Sequence, residues 1–151
     1  MYNINNLFSP DRIIFLNQSD KLQAITGLAN VLDTSPFVTD PAVFLQAVIA
    51  RENVLSTGIG VQIAMPHAKI ASVTDVAIAV GISKEGIDWN SIDGKPVHIV
   101  MLTCANESQS SQYLHVLAAI VRKLKNENRR QAILFANDIK RIYEILLMEA
   151  E

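Results

Sequence analysis

Ser56-Thr57-Gly58-Ile59-Gly60-Val61-Gln62-Ile63-Ala64-Met65-Pro66-His67-Ala68 is the stretch from which the fold and chemistry of this chain are read. A short apolar run, entered through two glycines, ends in a proline followed at once by a histidine. Neither packing nor solubility requires that order. Pro66 fixes its own φ and biases Met65 toward extended backbone, so the sequence predicts a strand over 61–65 that the chain leaves at the proline. His67 then stands at the strand exit. Ala68 is small enough to let a partner approach, and Gly58 and Gly60 permit tight or positive-φ backbone. Ser56 and Thr57 bring hydroxyls and backbone N–H donors to the same loop. A histidine is one of the few nucleophiles available near neutral pH. Donors around it suit a phosphoryl group, which carries roughly −1.5 to −2 charge and three acceptor oxygens. An isolated Pro-His pair is most often an ordinary surface-loop histidine; the flanking pattern reverses that reading here.

Outward from this stretch, strands and helices alternate. Residues 12–16 read as a short strand. Ser19-Asp20 offers an N-cap before Leu22, Ile25, Leu28, Ala29 and Leu32, which fall at helical spacing. Asp40-Pro41 starts a second helix, with proline at its first position, running through Phe44 and Val48 toward Arg51. Residues 75–83 and 97–104 read as central strands. Val76-Ala77-Ile78-Ala79-Val80 is apolar on both faces and belongs in a covered sheet. Asp93-Gly94 marks a tight turn. Helices follow over 109–125, 130–135 and 138–148, the last capped by Asp138. This order favours an α/β fold, a sheet covered by helices on both faces, with sites where strands end and loops open.

Bulk properties narrow the function. The 151 residues suit one domain with a real core. Half of them are apolar and 19% are charged, a globular composition. No apolar run approaches the roughly 20 residues that span a bilayer, and no signal peptide is evident. One cysteine, Cys104, cannot form an internal disulfide, so a reducing, cytoplasmic setting is expected. A net charge of −2 argues against a nucleic-acid binder. The cations Arg122, Lys123, Lys125, Arg129 and Arg130 read more simply as a solvated helix end than as an anion site.

Two further histidines and one arginine bear on the site. Along the 109–125 helix, Tyr113, Leu117, Ile120, Val121 and Leu124 share one stripe, with His115 nearly opposite, beside Arg122. His115 is either an idle surface residue or a second polar group reaching His67. His98 reads as a structural residue of the 97–104 strand. No pair of histidines has ligand spacing and Cys104 is isolated, so no metal is expected. Arg51 is either a bidentate phosphate ligand or half of a surface ion pair.

At this point the residues resemble a known family. Glu52, Ile59-Gly60 and Ile63-Ala64-Met65-Pro66-His67-Ala68 are similar to the active-site signature of the fructose/mannitol-type enzyme IIA domains of the phosphotransferase system, a family that includes the nitrogen-regulatory IIA proteins. Ser9-Pro10-Asp11-Arg12 resembles the family's N-terminus. Gly86 to Trp89 and Asp93 to Val97 resemble its central turn. His115-Val116-Leu117 falls where the family has its second histidine. The resemblance implies a mixed β-sheet flanked by helices on both faces, over residues 1–151 as a single domain.

It also implies a function. His67 would accept a phosphoryl group from an HPr-type phosphohistidine carrier. It would pass the group to a cysteine of a IIB domain, or its phosphorylation state would signal to protein targets. Arg51 would hold the phosphate or dock the partner, His115 would lie beside His67, and Ser56 and Thr57 would donate to the phosphate. No cofactor is implied. The absence of an attached IIB or IIC segment leans toward the regulatory branch. Gln62, where many members have glycine, keeps open a non-transferring regulatory binding module of the same fold.

Overall fold

A computed structural model describes residues 4–149. In chain order the elements are β1 (Ile13–Phe15), α1 (Lys21–Asp33), α2 (Pro41–Val54), β2 (Gly58–Gly60), β3 (Ile63–Ala64), β4 (His67–Lys69), β5 (Ala77–Ile87), β6 (Val97–Ala105), α3 (Ser110–Leu124), α4 (Glu127–Phe135) and α5 (Ile139–Leu147). The strands form one six-stranded mixed sheet in the order β1-β5-β6-β3-β2, with β4 also paired to β6. The expected α/β architecture is therefore present.

Three helices start at the caps the sequence marks, whereas α4 begins at Glu127, three residues before the expected 130, behind an Asn126 cap. The carboxylates of Asp20, Asp40 and Asp138 accept from the backbone N–H groups of Leu22, Val43 and Arg141. These bonds satisfy donors that an α-helix leaves open at its first turn. The basic residues are used at the opposite ends. Arg130 donates to Leu124 O and Lys125 O at the close of α3, and Arg129 donates to Ile145 O and Met148 O at the close of α5. Lys84 donates to Leu134 O and Ala136 O after α4. Arg129 and Arg130 thus serve helix ends, but Arg130 and Lys123 are buried and not solvated as the sequence suggested.

The sheet separates two cores. Ile78, Val80 and Ile82 of β5 and Ile99 and Met101 of β6 pack with α3, α4 and α5. The alternate residues Ala77, Ala79, Val100, Leu102 and Cys104 pack with α1 and α2. Side chains alternate across a strand, so a strand covered twice must be apolar at every position. That is why Ala77 to Val80 reads as an unbroken apolar run.

The decisive stretch departs from its expected form. The strand expected over 61–65 is only Ile63–Ala64. Val61 and Gln62 are a turn with φ of 49° and 73°, preceded by Gly60 at 91°. They close a tight hairpin in which β2 and β3 pair antiparallel. Nor does the chain leave the sheet at Pro66. Ile63 and Ala64 pair with Ile99 and Val100, then His67, Ala68 and Lys69 pair with Thr103, Cys104 and Ala105 in the same parallel register. Pro66 O accepts from Thr103 N at 3.1 Å, but proline has no N–H to return, and the ladder is interrupted there. His67 therefore opens a strand instead of standing beyond the end of one.

Both central residues of the hairpin have positive φ, a two-residue turn that favours Asn-Gly and that a β-branched valine adopts only with strain. Asp93 helps to hold it, accepting from Val61 N and Lys95 N. Replacing the pair by Val61→Asn with Gln62→Gly should raise stability by about 1 kcal/mol, read as a higher midpoint of denaturant unfolding with unchanged slope.

Candidate functional site

α2 delivers the first charged groups to the site. Glu52, in its last turn, is buried. One carboxylate oxygen accepts from Thr57 N at 2.7 Å and the other from Thr57 Oγ1 at 2.5 Å. Lys21 of α1 completes the ion pair at 2.8 Å. The fully buried Trp89 donates from Nε1 to Thr57 Oγ1 at 3.3 Å, and its carbonyl accepts from Ser56 Oγ at 2.7 Å and Lys21 Nζ at 3.2 Å. A buried carboxylate requires this degree of satisfaction. The network ties the end of α2 to β2 and to the loop after β5.

It also decides what Ser56 and Thr57 can do. A hydroxyl has one proton to donate. Ser56 spends it on Trp89 and Thr57 on Glu52. Both residues line the cavity described below, but their hydroxyls hold the loop together; the geometry does not leave them as the phosphate donors the sequence suggested.

His67 follows β3 by one Met65-Pro66 step. Its Nδ1 lies 3.2 Å from Met65 O. A carbonyl can only accept, so Nδ1 carries the proton and Nε2 keeps its lone pair. The imidazole stacks on Tyr113 of α3, with ring centroids 4.6 Å apart and planes at 29°. Burial lowers the pKa of His67 below its ordinary 6.5; the bond to Met65 opposes this, Arg51 and Lys69 reinforce it, and Glu52 opposes it weakly. The ring is therefore neutral at pH 7.

A cavity of about 540 Å³ opens beside the ring, lined by Arg51, Ser56, Thr57, His67, Tyr113 and Leu117 among others. The structure brings Arg51 and His67 to one cavity. Among the described residues Arg51 pairs with no carboxylate; its Nη1 donates to Leu55 O at 2.8 Å, and the fork has further N–H donors. His115 is exposed on α3 and does not line the cavity. The ring that α3 gives to His67 is Tyr113, because a step of two residues turns about 200° around a helix.

Tyr113 and Lys69 were not singled out from sequence as site residues. Tyr113 lies on the apolar stripe that the helical spacing predicts and is buried, at 6% exposure. The available signal for Lys69 was its spacing of two from His67, which puts both on one side of a strand. Its ammonium lies 5.2 Å from the Tyr113 ring centroid. His98 donates from Nδ1 to Ser83 O at 2.8 Å, as fits a structural residue. Cys104 is buried and its thiol is pushed up to about 11, so it is not a thiolate at neutral pH. Among the described residues no cluster of three or more His, Cys, Asp or Glu could hold a metal ion, and no helix is long and apolar enough to cross a membrane.

Large apolar side chains stand exposed around this mouth: Leu55 at 69% and Ile92 at 84%, both cavity-lining, and Val54 at 81% beside them. Exposed apolar side chains thus rim the cavity that holds His67 and Arg51.

Fold and site together define an α/β protein with a histidine and an arginine lining one open cavity. Residues 6–148 match the family described as phosphoenolpyruvate-dependent sugar phosphotransferase system, EIIA 2, and the chain belongs to it. It is 37% identical over 131 residues to the fructose-specific EIIABC component of Bacillus subtilis, an alignment that covers 87% of this chain and 21% of that protein. The crystal structure of the nitrogen regulatory protein IIA-Ntr from Neisseria meningitidis has the same fold, with a TM-score of 0.85 and 23% identity over 95% of this chain and 98% of that one. The Escherichia coli mannitol enzyme IIA, solved in complex with phosphorylated enzyme IIB, superimposes with a TM-score of 0.80 and 18% identity over 92% of this chain and 96% of that one.

Glu52→Ala removes the acceptor of two Thr57 donors and strands Lys21. A loss of about 3 kcal/mol is expected, read by denaturant unfolding. The lowered pKa of His67 has a definite sign. The unfolded ring binds a proton more readily than the folded one, so its contribution to stability is complete above about pH 6.5 and falls as pH drops toward the lower folded value. An NMR titration should give a His67 midpoint below 6.5, and Arg51→Gln should move it upward by removing a neighbouring positive charge.

Proposed function

We propose that this protein is a phosphoryl carrier whose acceptor is His67 Nε2. The observation that carries the reading is the bond between His67 Nδ1 and Met65 O, which leaves Nε2 as the unprotonated nitrogen of a ring lining a cationic cavity. Attack by Nε2 on a phosphorylated HPr-type carrier forms one N–P bond as the donor's bond to phosphorus breaks. No base is needed, because Nε2 holds no proton to lose. The Nδ1–H bond to Met65 O persists through the step and stabilises the positive charge that the ring acquires.

Arg51 supplies charge and N–H donors to the transferring group. Such positioning and charge neutralisation are what phosphoryl transfer chiefly requires. Lys69 adds a second cation near the ring. We assign no phosphate contact to His115. The site holds few donors, and that suits a carrier: a phosphate bound by many charge-assisted bonds, each contributing about 1.5–3 kcal/mol, would not move on. Onward transfer goes to a cysteine of a IIB domain, forming an S–P bond as the N–P bond breaks. The phosphorylated IIB partner of the mannitol neighbour supports that recipient. The apolar rim of Val54, Leu55 and Ile92 is the surface on which donor and recipient dock in turn.

Incubation with phosphoenolpyruvate, enzyme I and an HPr-type carrier should add one acid-labile phosphoryl group, seen by intact mass. His67→Ala should take up none while retaining its fold by circular dichroism. Full labelling of that variant would sink the assignment.

A further inference from the structure

We propose that Tyr113 is a positioning residue for His67, its ring holding the imidazole in the one orientation from which Nε2 reacts. This rests on the carrier reading of His67 and adds to it the means by which the nucleophile is kept ready.

The argument begins with degrees of freedom. The imidazole turns about two side-chain torsions. Its bond to Met65 O, at 3.2 Å, lies at the long end of the N–H···O range and restrains the ring at one edge only. A ring held at one edge can tilt, lose that bond and shift its proton to the other nitrogen. Tyr113 closes the remaining freedom from the face, with 4.6 Å between centroids and 29° between planes.

Tyr113 is itself well anchored. It is buried in the first turns of α3, and its backbone N–H donates to Gln109 O at 2.9 Å. Gln109 Nε2 in turn donates to Asp75 Oδ1 at 2.9 Å, next to β5. The start of α3 is thus tied to the segment that leads into β5. The chemistry of Tyr113 also fits. Burial raises the phenol to about 12, so the ring stays neutral and does not repel an arriving phosphoryl group. The same ring carries the Lys69 ammonium at 5.2 Å, which keeps a cation beside the imidazole. When Nε2 is phosphorylated and Nδ1 keeps its proton, the imidazole becomes cationic, and an aromatic face favours that state.

The test uses the whole chain and compares wild type with Tyr113→Phe and Tyr113→Leu. Nitrogen NMR reads the His67 tautomer and titration midpoint without any partner. Initial phosphorylation by a phosphorylated HPr-type carrier reads the rate. Tyr113→Phe keeps the ring and should keep the tautomer, midpoint and rate of wild type. Tyr113→Leu should mix the tautomers, raise the midpoint toward 6.5 and slow phosphorylation about tenfold, with thermal unfolding confirming that it folds. A Tyr113→Leu protein with wild-type tautomer and rate overturns the proposal. So does a Tyr113→Phe protein that loses the rate with its tautomer intact, since the hydroxyl would then be the working group. If wild type accepts no phosphoryl group, the carrier reading falls, and the tautomer ratio of Tyr113→Leu still decides whether Tyr113 positions the ring.

Discussion

The parallel pairing of the 63–69 segment with β6, kept in one register across Pro66, is the constraint on which the site depends. Two residues pair before the proline and three after it. In between, the proline accepts a bond and cannot return one. The chain is thus held against the middle of the sheet while its ladder is broken at one point. Met65 O lies within reach of the His67 ring as a result. A histidine in a loop would sample many orientations; one that begins a strand inherits the rigidity of β6, which is buried along most of its length.

The second support is electrostatic. Glu52 is a buried carboxylate, and burial without partners would cost several kcal/mol. Its partners are drawn from separate parts of the chain: Lys21 on α1 and the backbone and hydroxyl of Thr57 beside β2, with Trp89 bonded to Thr57 in turn. Satisfying one charge therefore aligns several elements around the cavity. Arg51, the neighbour of Glu52 in α2, is carried to the opening by the same helix end. A buried anion organises the framework, and the half-buried Arg51 lines the cavity.

Strain and exposure accompany these supports. Val61 and Gln62 take left-handed backbone where asparagine and glycine would sit more easily, and Leu55 and Ile92 face water. Local conflict of this kind gathers at functional surfaces, where complementarity to a partner outweighs local preference. The apolar rim of Leu55 and Ile92 lines the histidine cavity, whereas the strained turn lies beside the start of β6, where Gln62 O accepts from His98 N and Ile99 N.

What the sequence by itself determined is whatever depends on local pattern. The helix starts at Asp20, Asp40 and Asp138 were legible because a cap is made within three residues. The two-sided burial of β5 was legible in the unbroken apolar run Val76 to Val80. The family was legible in the residues from Glu52 to Ala68, and His67 with them. Only the tertiary structure decided which groups meet. Tyr113 reaches His67 because α3 packs across the sheet, and no spacing in the chain announces a contact between residues so far apart. His115, two positions on, is turned away by helical geometry. The hydroxyls of Ser56 and Thr57 were visible as donors, but their use by Trp89 and Glu52 depends on long-range folding. Local sequence fixes backbone tendency and chemical identity; the bonds that occupy or free a side chain form only when distant segments are brought together.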